Sequence, residues 1–65
     1  MSSALTKRER EVMMLRAEGN YASEIGLSLK CKKRTVEVHL YNIYKKTGIR
    51  NLVELIKYVD KYMKD

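Results

Sequence analysis

Sixty-five residues allow one small domain, and 14 Lys and Arg against 8 Asp and Glu give it a formal net charge of +6. This positive excess predicts a polyanionic partner. The single cysteine excludes an internal disulfide. The chain also has no apolar run of about 18 residues and no basic amphipathic anchor, so we expect a cytoplasmic protein without a membrane partner.

The absence of proline and the 3.6-residue spacing of apolar side chains predict an all-α fold of four helices. We expect a flexible lead-in over residues 1–4 and one domain over residues 5–65. Thr6 and Glu9 have the spacing of a capping box, in which each side chain binds the backbone N–H of the other. The first helix is therefore predicted at about 7–18, where Gly19 supplies a left-handed stop.

The second helix is predicted at about 21–29, with Asn20 as its N-cap. It contains Gly26, although a glycine inside a helix costs up to about 1 kcal/mol relative to alanine. Close approach of another segment is the usual compensation, so we expect Gly26 to contact the helix that follows the turn.

The third helix is predicted at about 33–47, after a turn over 30–32, and Gly48 ends it. At about 100° per residue, one side carries the apolar stripe Val36, Leu40, Ile43 and Thr47. The opposite side carries Arg34, Glu37, Val38, Tyr41 and Lys45. A solvated face does not need Val38 and Tyr41, although single exposed apolar residues are common. Two short helices around a tight turn, the second with a basic and partly apolar outer face, are typical of a helix-turn-helix.

The fourth helix is predicted at about 51–64, where Asn51 and Glu54 have the spacing of a second capping box. Its apolar arc is broad and comprises Leu52, Leu55, Ile56, Val59, Tyr62 and Met63, with Tyr58 at the margin. Two interpretations remain open: the arc closes a small core, or it serves both the core and a contact with a second subunit.

Several short motifs occur in order along the chain. They are Leu5-Thr6-x-Arg8-Glu9-x-Glu11-Val12, Gly19, Glu24-Ile25, Leu29, Thr35-Val36-x-x-His39-Leu40-x-Asn42-Ile43, and then Lys46, Gly48 and Asn51. This series resembles the LuxR/GerE-type helix-turn-helix domain of bacterial transcription regulators over about residues 5–59. The resemblance implies a protein of the bacterial nucleoid whose helix 3 enters the DNA major groove and whose helix 4 contacts a twin subunit.

The resemblance and the helix register together give three groups of site residues. Those expected to read base edges are Arg34, Glu37, Val38 and Tyr41. Those expected against the DNA backbone are Lys30, Lys32, Lys33, Thr35, His39, Asn42, Lys45, Lys46 and Arg50. Those expected at a homodimer contact are Leu52, Leu55, Ile56, Tyr58, Val59 and Tyr62. We expect no catalytic residue, cofactor, metal or small-molecule ligand.

Two departures from the family pattern fall on the predicted DNA surface. Glu37 stands where the family often has lysine, and its carboxylate is an acceptor suited to cytosine N4. Lys32 stands where a serine often caps helix 3, so three cations, Lys32, Lys33 and Arg34, occupy the positive end of that helix. The cluster either receives phosphates or is simply solvated.

Other function classes fit the chain less well. An enzyme finds no support, because His39 is isolated and Cys31 has no accompanying base, resolving cysteine or zinc-ligand spacing. RNA binding lacks the stacking platforms of single-strand readers. The more serious alternative is a protein-interaction module that binds a sigma factor, polymerase or another regulator without reading DNA sequence.

Overall fold

The computed structural model describes residues 5–63, which fold into four α-helices without a strand. The helices are α1 Lys7–Ala17, α2 Ala22–Leu29, α3 Lys33–Thr47 and α4 Leu52–Tyr62. The predicted all-α class is confirmed. The expected lead-in over 1–4 lies outside the described residues, and α4 ends at Tyr62, two residues before its predicted end at 64. None of the helices in the described part is long and apolar enough to cross a bilayer.

The start and stop signals of α1 are those expected. The Thr6 hydroxyl accepts from the N–H of Glu9 at 3.0 Å, and the Glu9 carboxylate accepts from the N–H of Thr6 at 2.9 Å. Gly19 follows the helix with a φ of +102°, and Gly48 follows α3 with a φ of +75°. Both glycines therefore occupy left-handed positions that other residues adopt with strain.

The predicted cap of α2 is wrong, because Tyr21 and not Asn20 is the N-cap residue. The side-chain amide of Asn20 donates instead to the carbonyl of Leu15 at 2.9 Å, which also accepts from the backbone N–H groups of Glu18 and Asn20 at the end of α1. The N–H of Tyr21 donates to the Glu24 carboxylate at 2.7 Å. Asn20 thus closes the preceding helix, and Glu24 supplies the contact at the start of the next.

At the start of α4, only one of the two hydrogen bonds of the predicted capping box forms. The Asn51 side chain accepts from the N–H of Glu54 at 2.9 Å. The Glu54 carboxylate, however, accepts from the N–H of Arg50 at 2.8 Å instead of returning to Asn51. The cap remains satisfied, with the reciprocal bond moved back by one residue.

The core lies around α1, which packs against each of the other three helices, whereas α4 packs against no helix except α1. The buried apolar residues are Val12, Met13, Ile25, Val36, Ile43, Ile49, Leu55 and Val59. Val36 and Ile43 are fully buried, so the inward stripe of α3 is the predicted one. Burial of that stripe fixes the rotation of α3 about its axis and directs its opposite side to solvent.

Gly26 allows the turn between α2 and α3 to pack directly on α2. A Cβ atom at this position would lie 2.7 Å from the carbonyl oxygen of Cys31. The N–H of Cys31 donates to the Gly26 carbonyl at 2.8 Å, so the two backbones are tied at the same place. The close approach that we predicted is confirmed, although the nearest atom belongs to the turn and not to α3.

We predict that Gly26→Ala destabilises the domain by about 1–3 kcal/mol, because two backbones would have to separate and the gain in helix propensity is smaller. Urea unfolding followed by circular dichroism measures the change. Ser28→Ala, at an exposed position of the same helix, is the matched control and should change stability by less than about 0.5 kcal/mol. A Gly26→Ala chain as stable as the wild type would contradict this account of the turn.

Candidate nucleic-acid interface

The outer face of α3 presents the residues predicted to read bases. Arg34, Glu37, Val38 and Tyr41 are all exposed, and together they line one open depression on the surface. Val38 is 45% exposed and Tyr41 is 62% exposed, so both side chains are accessible to a partner. The depression therefore combines a cation, a carboxylate, a hydroxyl and an apolar patch on one accessible surface.

Tyr41 has a cationic neighbour one helical turn further along α3. The Lys45 ammonium lies 5.4 Å from the centre of the Tyr41 ring. At this distance the cation is attracted to the negative face of the ring. The contact restricts the ring while leaving its hydroxyl end exposed.

The N-terminus of α3 has no side-chain cap. Lys32 occupies the N-cap position with an extended backbone, and its side chain makes no capping hydrogen bond. Lys32, Lys33 and Arg34 are all exposed. Free backbone N–H groups and three cations therefore meet at the positive end of the helix, an arrangement that favours an anion.

The residues predicted against the DNA backbone divide by exposure. The exposed ones are Lys30, Lys32, Lys33, Thr35, Lys45 and Arg50, and the half-buried ones are His39, Asn42 and Lys46. All except Arg50 lie on α3 or on the turn before it. The positive charge is thus concentrated around the helix that carries the exposed depression.

Lys46 differs from the other cations because its ammonium is held inside the domain. It donates to the Glu9 carboxylate at 2.8 Å, and the two side chains are 26% and 5% exposed. We therefore remove Lys46 from the predicted backbone contacts. From the sequence, Glu9 was predicted only as a cap. It lies on the inward side of α1 together with Val12, and a carboxylate in that position indicates a buried partner.

The same contacts set the protonation of Glu9. Burial of the Glu9 carboxyl raises its pKa, but hydrogen bonds from Lys46 and Thr6 and the adjacent positive charge lower it by more. The net pKa lies below the ordinary value of 4.5, so the carboxylate is ionised at neutral pH.

The predicted dimer surface on α4 needs a correction. Leu55 is fully buried and Val59 is 5% exposed, so both belong to the core and cannot contact a second subunit. Of the remaining predicted residues, Ile56 and Tyr62 are exposed, and Leu52 and Tyr58 are half-buried. Val53, which is outside the predicted set, is 60% exposed on the same helix. The two buried residues are four positions apart and lie at the centre of the arc, so only its flanks reach solvent.

A short helix, a tight turn and a second helix with an exposed, cation-rich outer face define a helix-turn-helix domain of the DNA-binding class. Residues 3–59 match the GerE family model, described as bacterial regulatory proteins of the luxR family. The chain belongs to this family, as the motifs along the sequence predicted.

Curated relatives with regulatory names share this region. The chain is 44% identical over 55 residues to the transcriptional activator protein SolR of Ralstonia nicotianae, and the matched region covers 85% of the chain and 23% of SolR. It is 43% identical over 53 residues to the transcriptional regulatory protein UhpA of Escherichia coli, which covers 82% of the chain and 27% of UhpA. It is also 43% identical to the uncharacterized response regulatory protein YgeK of the same species, over 82% of the chain and 36% of YgeK. The chain thus spans about a quarter to a third of the length of these relatives.

We predict that Glu9→Gln lowers the stability at pH 7 by about 1–3 kcal/mol, because Lys46 loses a charged acceptor while glutamine still caps the helix. The folded pKa of Glu9 is depressed, so its contribution is full above the unfolded value of about 4.5 and is lost as pH falls through the folded pKa. The difference between variant and wild type should therefore shrink below about pH 4.5.

Urea unfolding between pH 3 and pH 8 tests this dependence. The control is Glu11→Gln, since Glu11 pairs with Arg8 at 3.3 Å on a surface where the side chains are 41% and 48% exposed. An exposed pair of this kind contributes at most about 0.5 kcal/mol. Equal losses at pH 7 and at pH 3.5 for Glu9→Gln would rule out a charge effect.

Proposed function

We propose that this domain binds a specific sequence of double-stranded DNA as part of a bacterial transcription regulator, with α3 lying in the major groove. The observation that carries the proposal is the joint exposure of Arg34, Glu37, Val38 and Tyr41 on the side of α3 opposite its buried stripe. An α-helix fits the major groove, where each base pair presents a distinct pattern of donors, acceptors and methyl groups.

The chemistry of the four side chains assigns a type of base contact to each. The Arg34 guanidinium suits the O6 and N7 acceptors of guanine, and the Glu37 carboxylate suits the amino group of cytosine. Val38 suits the methyl group of thymine, and the Tyr41 hydroxyl can donate to or accept from a base edge. Each good contact would discriminate against the wrong base by about 1–3 kcal/mol.

The cations around α3 supply the affinity that does not depend on sequence. The exposed cations that would neutralise phosphates are Lys30, Lys32, Lys33, Lys45 and Arg50. Thr35, His39 and Asn42 would also lie against the DNA backbone. Each phosphate contact steepens the fall of log K with log salt by about 0.9. Lys46 is left out of this set because it neutralises Glu9.

The domain would act as a homodimer, with half-site centres about one helical turn of DNA apart. The surface for the second subunit would lie on one flank of the buried stripe of α4 and use Leu52, Ile56 and the exposed Val53, while Tyr58 and Tyr62 lie on the opposite flank. The rings of Tyr58 and Tyr62 already contact each other, with centroids 4.7 Å apart. A regulator that acts in this way would lie at the nucleoid, in the cytoplasm.

Selection of binding sites from random DNA tests the proposal, followed by gel shifts with the selected site across a salt series. A specific reader yields a symmetric consensus and keeps its preference over competitor DNA. A protein-interaction module, the alternative, would show weak retention of every sequence alike.

We predict that Val38→Ala and Tyr41→Phe relax specificity, each by about 1–3 kcal/mol at one position of the selected site, with little change in affinity for random DNA. Site selection with each variant measures the change. Met14→Ala is the control, because Met14 is 41% exposed on α1, away from the depression. If both variants select the wild-type consensus unchanged, α3 does not read bases through these residues.

For the second subunit, we predict that Ile56→Asp lowers binding to the two-half-site DNA at least tenfold, while binding to a single half-site stays unchanged. A charge introduced at an apolar contact must be desolvated on assembly. Lys57→Asp introduces the same group at an exposed position about 100° further around α4, outside every proposed contact, and serves as the control. Equal losses in the two variants would place the dimer contact elsewhere.

A further inference from the structure

The turn between α2 and α3 contains a lysine in a conformation that lysine rarely adopts. Lys30 is the residue that ends α2, with φ of 59° and ψ of 45°. Within residues 5–63 it is the only residue other than glycine with a positive φ. The ends of α1 and α3 use Gly19 and Gly48 for the same purpose. A side chain at such a position is strained, because its Cβ approaches the neighbouring carbonyl oxygen.

The surrounding contacts prevent Lys30 from relaxing. On one side, its N–H points to the carbonyl of Leu27 at 3.4 Å. On the other, the N–H of Cys31 donates to the Gly26 carbonyl at 2.8 Å, and the Cys31 carbonyl packs against the Gly26 backbone. Only residues 30–32 separate α2 from α3, so the turn is short and both of its ends are held by helices.

Packing does not explain why this position is a lysine, because the side chain of Lys30 is exposed. Glycine, or asparagine with its tolerance of left-handed backbone, would make the same turn with less strain. What lysine adds is a positive charge, next to the uncapped N-terminus of α3 and its cations Lys32, Lys33 and Arg34. Strain that surrounding contacts maintain is found mainly at functional sites.

We propose that Lys30 is retained at a cost in stability because its ammonium binds a DNA phosphate beside the turn. This inference rests on the proposed function and adds to it a residue where stability and DNA affinity oppose each other. Replacement of Lys30 can therefore make the domain more stable and a weaker DNA binder at the same time.

Three substitutions separate the charge from the strain. Lys30→Gln removes the charge and keeps a strained side chain, Lys30→Gly removes both, and Lys30→Arg keeps both. Lys57→Gln is the control, because Lys57 is an exposed lysine on α4 with ordinary helical backbone and lies outside every proposed contact. Thermal unfolding and salt-dependent gel shifts on the selected site are measured for each chain.

We expect Lys30→Gly to raise Tm by about 4–8 °C and Lys30→Gln to leave it within about 2 °C. Both should weaken DNA binding about eightfold per bound subunit near 0.1 M salt and reduce the salt slope by about 0.9 per subunit. Lys30→Arg should keep the slope, and Lys57→Gln should alter neither quantity.

Two results would overturn the inference. If Lys30→Gln keeps the wild-type salt slope while Lys33→Gln lowers it, DNA is bound but Lys30 makes no phosphate contact. If Lys30→Gly does not raise Tm, the turn holds no strain for glycine to relieve. Failure of the proposed function is distinguishable, since the wild-type chain itself would then select no DNA sequence.

Discussion

The carboxylate of Glu9 joins the beginning of α1 to the end of α3, and the placement of the exposed helix depends on this junction. One oxygen of the carboxylate accepts from both the N–H of Thr6, at 2.9 Å, and the ammonium of Lys46, at 2.8 Å. The first contact caps the N-terminus of α1. The second holds the last turn of α3 against α1. Because the carboxylate is almost fully buried, loss of either partner would leave an inadequately compensated charge in the interior.

A second constraint acts at the other end of α3. The turn packs on the bare backbone of Gly26, so the first residue of α3 is fixed relative to α2. Between the two ends, Val36 and Ile43 enter the core and set the rotation of the helix. Position, direction and rotation are thus determined by three separate contacts, none of which uses a residue of the exposed depression. The residues of the depression can therefore be replaced without disturbing the contacts that position the helix.

Local patterns were enough to predict most of the framework. The capping box of Thr6 and Glu9, the left-handed glycines 19 and 48 and the close approach at Gly26 each follow from a few neighbouring residues. The outward side of α3 was also predictable, because an apolar stripe on a helix determines which residues lie opposite. Such features depend on backbone geometry, which sequence spacing specifies directly.

Features that depend on distant residues were not predictable in the same way. Lys46 looked like any other surface cation, since nothing within a few positions shows that Glu9 lies beside it in the fold. The broad apolar arc of α4 could not reveal that Leu55 and Val59 lie beneath and Val53 and Ile56 outside, because that depends on where α1 meets the helix. Asn20 was misassigned because two helix ends compete for one amide, and only the fold shows which end it serves.

The attachment of α4 to the rest of the domain has a mechanical consequence. Among the described helices it packs only against α1, whereas α3 packs against both α1 and α2. A tilt of α4 can reach α3 through α1, which is tied to α3 by the Glu9–Lys46 ion pair, and through the link 48–51 that joins the two helices directly. The depression on α3 is lined by residues of that helix alone, so small changes in the angle of α4 leave its shape unchanged.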